Sequence, residues 1–449
     1  MNLLFGTDGI RGHADTKLPD DFVYRVGKAF GYTLHRRFAN MSVLSVGIGR
    51  DTRLSGQRIE QAMVRGLVDA GIHVFRLGIV PSPAVSRLVV HFNMVAGVVI
   101  SASHNPIHDN GIKCFDQAGY KLSSEWESEI EELLGQPDTQ WSGEYPKGMV
   151  QSMENEAPEM YASLVASLYP ANLLKGYTVA TDLAHGATWF TTPRILRLLG
   201  ANVVEINHTP DGNKINVDCG ATHPDFFRNW VKEHQVDFHF GLTHDGDGDR
   251  VMMFTDKNTV IDGDMIITFC ALHRHSKGLL PGNGVVGTIM TNTGIEHFLA
   301  KYGIRLFRSN VGDKYVLRDC LRFGYSLGGE QSGHVLFLDK VRSGDGIITA
   351  LEFMQTFIES QGRWMQDLEK IEFYSHQLTN IHVEDKDQVS DSAWLRTEVS
   401  KIEEQYPLAR INIRSSGTEP LVRLLVEARE KEVVRELTEK ISVLIKSVS

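Results

Sequence analysis

The sequence is short of cysteine, of long apolar runs and of net positive charge, and each shortage narrows what the chain can be. Four cysteines occur in 449 residues, Cys114, Cys219, Cys270 and Cys320, and none forms a CxxC pair. That usage fits a reducing compartment and argues against a zinc site built on thiolates. No stretch of about 18 consecutive apolar residues occurs, so no membrane span is expected. The N-terminal MNLLFGTDGIRG lacks a basic segment followed by a long apolar run, which argues against a secretory signal. Lysine and arginine number 46 against 56 aspartates and glutamates, a formal net charge of -10. This balance argues against a non-specific nucleic-acid binder, while a small site can still be locally basic and take an anionic substrate. No GxxxxGKS/T phosphate loop, no dinucleotide fingerprint and no GxSxG elbow is present. A nucleotide-triphosphate enzyme is therefore disfavoured, as is a serine hydrolase of the elbow type.

What is present reads as a soluble, folded protein: 42% apolar and 23% charged residues. At roughly 150 residues per domain the length suggests about two to four domains. Short apolar runs at 42–49, 73–80 and 95–100 read as strands. Helices are expected near 56–70 and 125–135, and a polar linker at 136–148. The pattern recurs with strands at 177–182, 202–207 and 236–243 and helices at 187–200 and 223–234. It recurs again with strands at 285–290, 304–309, 325–329 and 334–340 and helices from about 294 and 314 and over 346–360. Such alternation indicates βαβ units and mostly parallel sheets. The tail, with apolar runs near 373–384 and 411–428 and helices near 391–405 and 431–447, reads as a smaller α+β domain. The expected boundaries are 1–150, 151–252, 253–366 and 367–449.

Four polar clusters follow apolar runs, where ligands of open α/β sheets gather, and could converge on one central cleft. In HDGDGDR (244–250), Asp245, Asp247 and Asp249 alternate with glycines. If the backbone is extended, all three carboxylates point one way. Their repulsion then calls for a hard divalent cation, and magnesium suits an all-oxygen set. A calcium loop is the poorer reading, because Arg250 stands where that loop needs glycine. An acidic surface turn is the plain alternative. In RSSGTEPLVR (414–423), Arg414 and Arg423 flank hydroxyls and Gly417, a set suited to a dianionic phosphate. In GEQSGH (329–334), Glu330 and Ser332 could bond sugar hydroxyls, or the segment could be an ordinary turn. In SASHNPIHDNGIK (101–113), Ser101 and Ser103 are rival nucleophiles and Lys113 could neutralise phosphate. His104 adjoins Ser103, but neighbours in an extended segment face opposite ways. The plain alternative for this stretch is a capped strand-to-helix loop, with Cys114 and Phe115 in the core. GTDGIRG (6–12) adds Thr7, Asp8 and Arg11.

The ordered set GTDGIRG, SASHNP, DNGIK, DGDGDR, VGDKYV, GEQSGH, SGDGI and RSSGTEP resembles the α-D-phosphohexomutase superfamily over nearly the whole chain, and within it the bacterial phosphoglucosamine mutases. The resemblance implies three similar α/β domains and a smaller α+β domain around a central cleft. It implies that Ser103 carries the reactive phosphate and that one magnesium ion per subunit binds Asp245, Asp247 and Asp249 together with that phosphoserine. By the same resemblance Arg11, Lys113 and Arg250 support the reacting phosphate, and His334 orients or moves a proton. Asp313, Glu330 and Ser332 contact the sugar. Arg414, Ser416, Gly417, Thr418 and Arg423 hold the non-reacting phosphate. The implied reaction interconverts glucosamine 6-phosphate and glucosamine 1-phosphate through glucosamine 1,6-bisphosphate. It would run in the cytoplasm, in a homodimer, with a small phosphosugar and with neither nucleic acid nor membrane as partner. Two other readings stay open: a phosphomannomutase or phosphoglucomutase, and a non-catalytic sugar-phosphate sensor. The wording departs from the family at DLAHGA (182–187), where DCANGA is usual, and at His244, where an apolar residue is common.

Overall fold

Continuous β-branched runs such as Ala96–Ile100 can bury both faces only inside a sheet covered on both sides, and every residue of that strand is buried. The computed structural model of the chain describes residues 4–448 except 7, 138–140, 142 and 416–420, with backbone alone at 390. It divides into two compact units, Met1–Thr288 with Phe307–Met365, and Ile289–Leu306 with Gln366–Ser449.

The first sheet of the larger unit runs Ile10–His13, Asp109–Asp116, Ala96–Ile100, Ser45–Arg50, His73–Ile79, Val150–Ser152. The first three strands are mutually antiparallel and the rest parallel. The stretch 101–113 is therefore no strand-to-helix loop, because its second half already returns as an antiparallel strand. That return sets Lys113 opposite Val99 and brings Arg11 opposite Gly111. Cys114 and Phe115 are buried as expected. The second sheet runs Val260–Ile261, Val251–Thr255, Phe240–His244, Thr178–Asp182, Asn202–Ile206, the last three strands parallel. A third sheet pairs Gly284–Thr288 with Leu327–Gly329 in parallel, and the latter with Val335–Phe337 in a hairpin. Each of these sheets is mixed: parallel strands form its centre, and antiparallel strands such as Asp109–Asp116, Val251–Thr255 and Val335–Phe337 are added by hairpin-like returns.

Several helices fall where the sequence reading placed none, among them Ser82–His91 and Glu156–Ala166, and two others show why. Asp20–Arg37 has an apolar face of Val23, Val26, Phe30 and Leu34, but Gly27 and Gly31 depress its apparent propensity. Gly263–Ser276 is buried nearly all round, so it lacks the amphipathic period that marks a surface helix. The segment 136–148 is not a free linker. Trp141 is buried, Tyr145 stacks on His35, and Tyr32 donates to the Gly143 carbonyl at 2.8 Å. The expected strand at 236–243 begins later, at Phe240, and the expected helix at 187–200 begins at Thr191.

The smaller unit holds the three-stranded antiparallel sheet Ser375–His382, Leu421–Ala428, Arg410–Ser415, packed on helix Lys431–Val448. Its buried Glu427 accepts the Thr293 amide at 2.8 Å and the Arg410 Nε at 2.8 Å, which ties helix Thr293–Lys301 to this sheet. No helix among the described residues is long and apolar enough to cross a membrane. All four cysteines are buried and unbridged.

Candidate active site

The two serines of SASHNP have different jobs in the structure. The Ser101 hydroxyl donates to Asp51 at 2.6 Å and accepts the Ser103 amide at 2.9 Å, so it is consumed in holding the loop. Ser103 takes a left-handed conformation, φ 52°, and its hydroxyl donates to Asp245 at 2.5 Å. The same turn brings His104 Nδ1 to 3.3 Å from Ser103 Oγ, against the expectation of opposed side chains, because the segment is not extended there. Burial, then Arg250 and Arg11, lower the His104 pKa to about 4, so its ring is neutral at physiological pH.

One buried arginine shapes this loop. The guanidinium of Arg53 ion-pairs with Asp51 at 3.0 Å and donates to the carbonyls of Ser103, Asn105, Pro106 and Asp109 at 2.9, 2.8, 2.5 and 3.0 Å. Asn216 adds a second donor to the Ser103 carbonyl at 2.9 Å. Asp51, Arg53 and Asn216 were not singled out in the sequence. The signal for the first two was RDTR (50–53), another polar cluster directly after a strand.

Asp245, Asp247 and Asp249 do converge, with one oxygen of each inside a common span of 4.8 Å, all buried. They converge through a tight loop, not an extended strand. Gly248 sits at φ 70°, and a β-carbon there would lie 2.3 Å from the Thr188 methyl, so the turn requires glycine. Ser82 at the start of a helix donates both hydroxyl and amide to Asp247. Lys113 Nζ lies 2.7 Å from Asp247, 3.2 Å from Asp249 and 3.1 Å from Asp8. Burial and the neighbouring Asp249 and Asp247 push the Asp245 carboxyl upward. Burial acts on Asp247 and Asp249 too, but Lys113, joined at Asp249 by His334, holds both below the ordinary value. Three carboxylates within a few ångströms repel one another, and of the three Lys113 bonds only Asp247 and Asp249. Oδ1 of Asp247 and of Asp249 has no hydrogen-bond partner among the described residues. Those two oxygens and the all-oxygen donor set fit a hard divalent cation.

The remaining predicted residues of the larger unit gather around this trio. The Arg250 amide donates to Asp245 at 3.2 Å, and its Nε lies 4.0 Å from Asp249. Arg11 is half-buried and ion-pairs with Asp8. GEQSGH is the tight turn of a hairpin and presents three side chains inward. Glu330 accepts the Gly312 amide at 2.7 Å, Ser332 donates to Glu330 at 3.4 Å, and His334 lies 3.6 Å from Asp249 and 3.7 Å from Asp313. Burial would lower the His334 pKa, but Asp249 and Asp313 outweigh it and raise it. Asp313 opens the helix Asp313–Phe323 and ion-pairs with Lys121, which also bridges to Asp8. Lys121 was missed, since nothing local marks a lysine that meets a carboxylate 192 positions away.

The two departures from family wording have structural roles. His244 Nδ1 lies 3.0 Å from the Arg250 carbonyl and its Nε2 3.0 Å from the Thr192 hydroxyl. A carbonyl only accepts, so Nδ1 carries the proton and Thr192 donates to Nε2. Burial lowers this histidine to about 4, consistent with that neutral form. In DLAHGA, Ala184 and His185 both sit at φ 51°, and His185 Nδ1 bonds the Thr209 carbonyl at 2.9 Å.

Three of the four expected clusters thus meet within the larger unit. The fourth belongs to the smaller unit. There Arg414 and Arg423 are register partners on neighbouring antiparallel strands, so both leave the same face. Like charges at opposed positions suit an anion. Ser416, Gly417 and Thr418 lie outside the described residues.

A hydroxyl, a carboxylate trio and a group of cations drawn from the ends of separate sheets make this the candidate active site of a multidomain α/β protein. Comparison with known proteins is specific. Phosphoglucomutase/phosphomannomutase family models match in four pieces: domain I at 2–141, domain II at 159–258, domain III at 262–372 and the C-terminal domain at 378–442. The phosphoglucosamine mutase of Carboxydothermus hydrogenoformans is 38% identical over 454 residues, covering 100% of both chains. A crystal structure of a phosphoglucomutase/phosphomannomutase family protein from Burkholderia thailandensis has the same fold, with a TM-score of 0.81, 21% identity, and 98% of this chain and 95% of that one covered. So does the Aspergillus fumigatus N-acetylphosphoglucosamine mutase solved with GlcNAc-6P and magnesium, at a TM-score of 0.71, 18% identity and coverages of 99% and 95%. The chain belongs to the phosphoglucomutase/phosphomannomutase family, the α-D-phosphohexomutases.

Proposed function

We propose that the enzyme interconverts glucosamine 6-phosphate and glucosamine 1-phosphate through a phosphorylated Ser103. The observation that carries this is the Ser103 hydroxyl at 2.5 Å from Asp245, inside the carboxylate trio, in a chain alignable from end to end with a phosphoglucosamine mutase. Magnesium, one ion per subunit on Asp245, Asp247 and Asp249, would neutralise charge on the transferring phosphoryl group. In the forward half-reaction the Ser103 Oγ–P bond breaks as a bond forms between phosphorus and the free sugar oxygen, giving glucosamine 1,6-bisphosphate. In the return half the other phosphoryl group moves to Ser103 Oγ. Lys113, Arg11 and Arg250 stabilise the charge that builds on the moving group. His334, whose pKa is raised by Asp249 and Asp313, is placed to donate a hydrogen bond. His104, neutral and 3.3 Å from Ser103 Oγ, is placed to take the serine proton on return. Asp313, Glu330 and Ser332 contact the sugar. Arg414 and Arg423, with Ser416, Gly417 and Thr418, grip the phosphate that does not react, whichever end it occupies. The enzyme is read as a cytoplasmic homodimer with no nucleic-acid or membrane partner.

The test is kcat/KM for glucosamine, glucose and mannose 6-phosphates. Glucosamine 6-phosphate should lead by about a hundredfold, the discrimination a site gains by bonding a polar substituent. A comparable lead for mannose or glucose 6-phosphate would move the enzyme to the neutral-sugar branch. No turnover of any of them would favour a sensor.

The position of His334 can be tested through Gly344. A β-carbon there would lie 2.3 Å from Cε1 and Nε2 of the His334 ring, so Gly344→Ala must displace the imidazole. A shift of about 1 Å should lower kcat about a hundredfold. Steady-state kinetics on the purified variant would show it, with circular dichroism confirming the fold.

A further inference from the structure

Behind the active site the larger unit has a second cavity, of about 310 Å3. It lies between helix Ser82–His91 and the segment 338–343, and its cationic wall is Arg87, Lys340 and Arg342, with Val90 and Leu164 as apolar surface. Arg87 has unmet bonding capacity. Its guanidinium donates once, to the Lys340 carbonyl at 3.0 Å. It makes no ion pair among the described residues, and its Nε is shut off from solvent without a partner. The nearby Asp345 carboxylate is taken by the Tyr161 hydroxyl at 2.8 Å and the Ile348 amide at 3.1 Å. Arg342 lies over the Tyr120 ring and gives one long bond, 3.4 Å, to the Leu338 carbonyl. Asp339, the acidic residue on the wall, is engaged by Arg274 at 3.0 and 3.2 Å. Two arginines that make no ion pair within 4.0 Å among the described residues, Arg87 acting on Asp345 only at longer range, line one cavity large enough for a small metabolite and form a set that recognises phosphate bidentately.

We propose that this cavity is a second anion site, separate from the catalytic one, for a small molecule carrying a diphosphate or an equally charged phosphate group. Its walls continue into the active site. Ser82, next to the lining Pro83, bonds Asp247, and Arg342 and Ser343 also line the smaller cavity that contains His334, Asp313 and Lys121.

The experiment is isothermal titration of the full-length, metal-free protein with inorganic pyrophosphate, in saturating glucosamine 6-phosphate to fill the catalytic site. One pyrophosphate per chain should bind, and R87Q/R342Q should weaken it at least about tenfold, the loss expected on removing charge-assisted bonds. Arg342→Gln alone, at an exposed position, should weaken it at least about threefold, and it decides the matter should the double variant fail to fold. Absence of binding to the unmodified protein, or equal affinity in the variants, would overturn the proposal. The test rests on the proposed function only through the sugar phosphate used to fill the catalytic site, and repeating the titration in saturating mannose 6-phosphate or glucose 6-phosphate separates failure of that reading from failure of this one. Adenosine diphosphate in a parallel titration separates sources. Tenfold tighter binding than pyrophosphate assigns the apolar wall to a nucleoside, and equal affinity assigns the site to the diphosphate itself.

Discussion

Ser103→Ala should lose at least about a thousandfold in kcat, and Ser101→Ala only about ten- to a hundredfold. Ser103 Oγ is the one hydroxyl of the SASHNP loop directed at the carboxylate trio, bonding Asp245 at 2.5 Å. In the proposed mechanism, replacing it removes the atom that accepts and returns the phosphoryl group, and Ser101 cannot substitute, because its hydroxyl points away to Asp51. Ser101→Ala leaves the nucleophile intact. It strips the Ser103 amide of its acceptor and Asp51 of a donor, a loss of about 1–3 kcal/mol of stability, with some misplacement of the loop. Intact-mass spectrometry after incubation with glucosamine 1,6-bisphosphate gives an independent readout. Phosphate should be found on the unmodified protein and on Ser101→Ala, and not on Ser103→Ala. Full activity in Ser103→Ala would remove the phosphoserine route altogether.

Why one serine and not the other could not be read from residue types is a matter of range. The acidic trio was legible because its residues are two apart and alternate with glycine, so geometry and composition are written in the same seven positions. The buried strand before SASHNP was legible for a similar reason, as a continuous β-branched run. The choice between the serines depends on Asp51 and Asp245, which approach from about 50 residues before and 142 residues after. Lys121 is invisible for the same reason, since its partners Asp8 and Asp313 lie 113 and 192 positions away. Positive φ at Ser103 also overturned a local inference. Alternation of side chains holds only for an extended backbone, and one left-handed residue brought His104 back beside the hydroxyl. Among the elements, the missed helices Gly263–Ser276 and Asp20–Arg37 have, respectively, a burial pattern without a single face and glycines that hide the one present. Ordered family wording supplied the roles that long range hides, but it was silent on Asp51 and Arg53.

Arg53→Met should be the most destabilising single change in the catalytic loop, by about 3–5 kcal/mol, because it strands a buried carboxylate. The guanidinium is fully buried and bonds Asp51 and four backbone carbonyls of the loop that carries Ser103. No other side chain offers five donors in one plane, so Arg53→Lys should recover the charge but not the loop, and stay well below the unmodified protein in activity. Burial already pushes the Asp51 carboxyl upward, with Arg53 the main opposing influence. Without that arginine the Asp51 pKa should rise further, because the main influence opposing burial is gone. A raised folded-state pKa for a carboxyl stabilises only where the proton is bound, so both proteins lose stability from Asp51 as pH climbs through its folded-state value, and the variant, with the higher value, should lose more and over a range reaching to higher pH. Adding Asp51→Asn to Arg53→Met removes the stranded charge and should return part of the lost stability without restoring kcat, because the four carbonyls remain unheld. Chemical denaturation across a double-mutant cycle measures the first effect and turnover the second. Recovery of both together would mean that the arginine serves only to neutralise Asp51. Recovery of stability alone would mean that it shapes the nucleophile's loop.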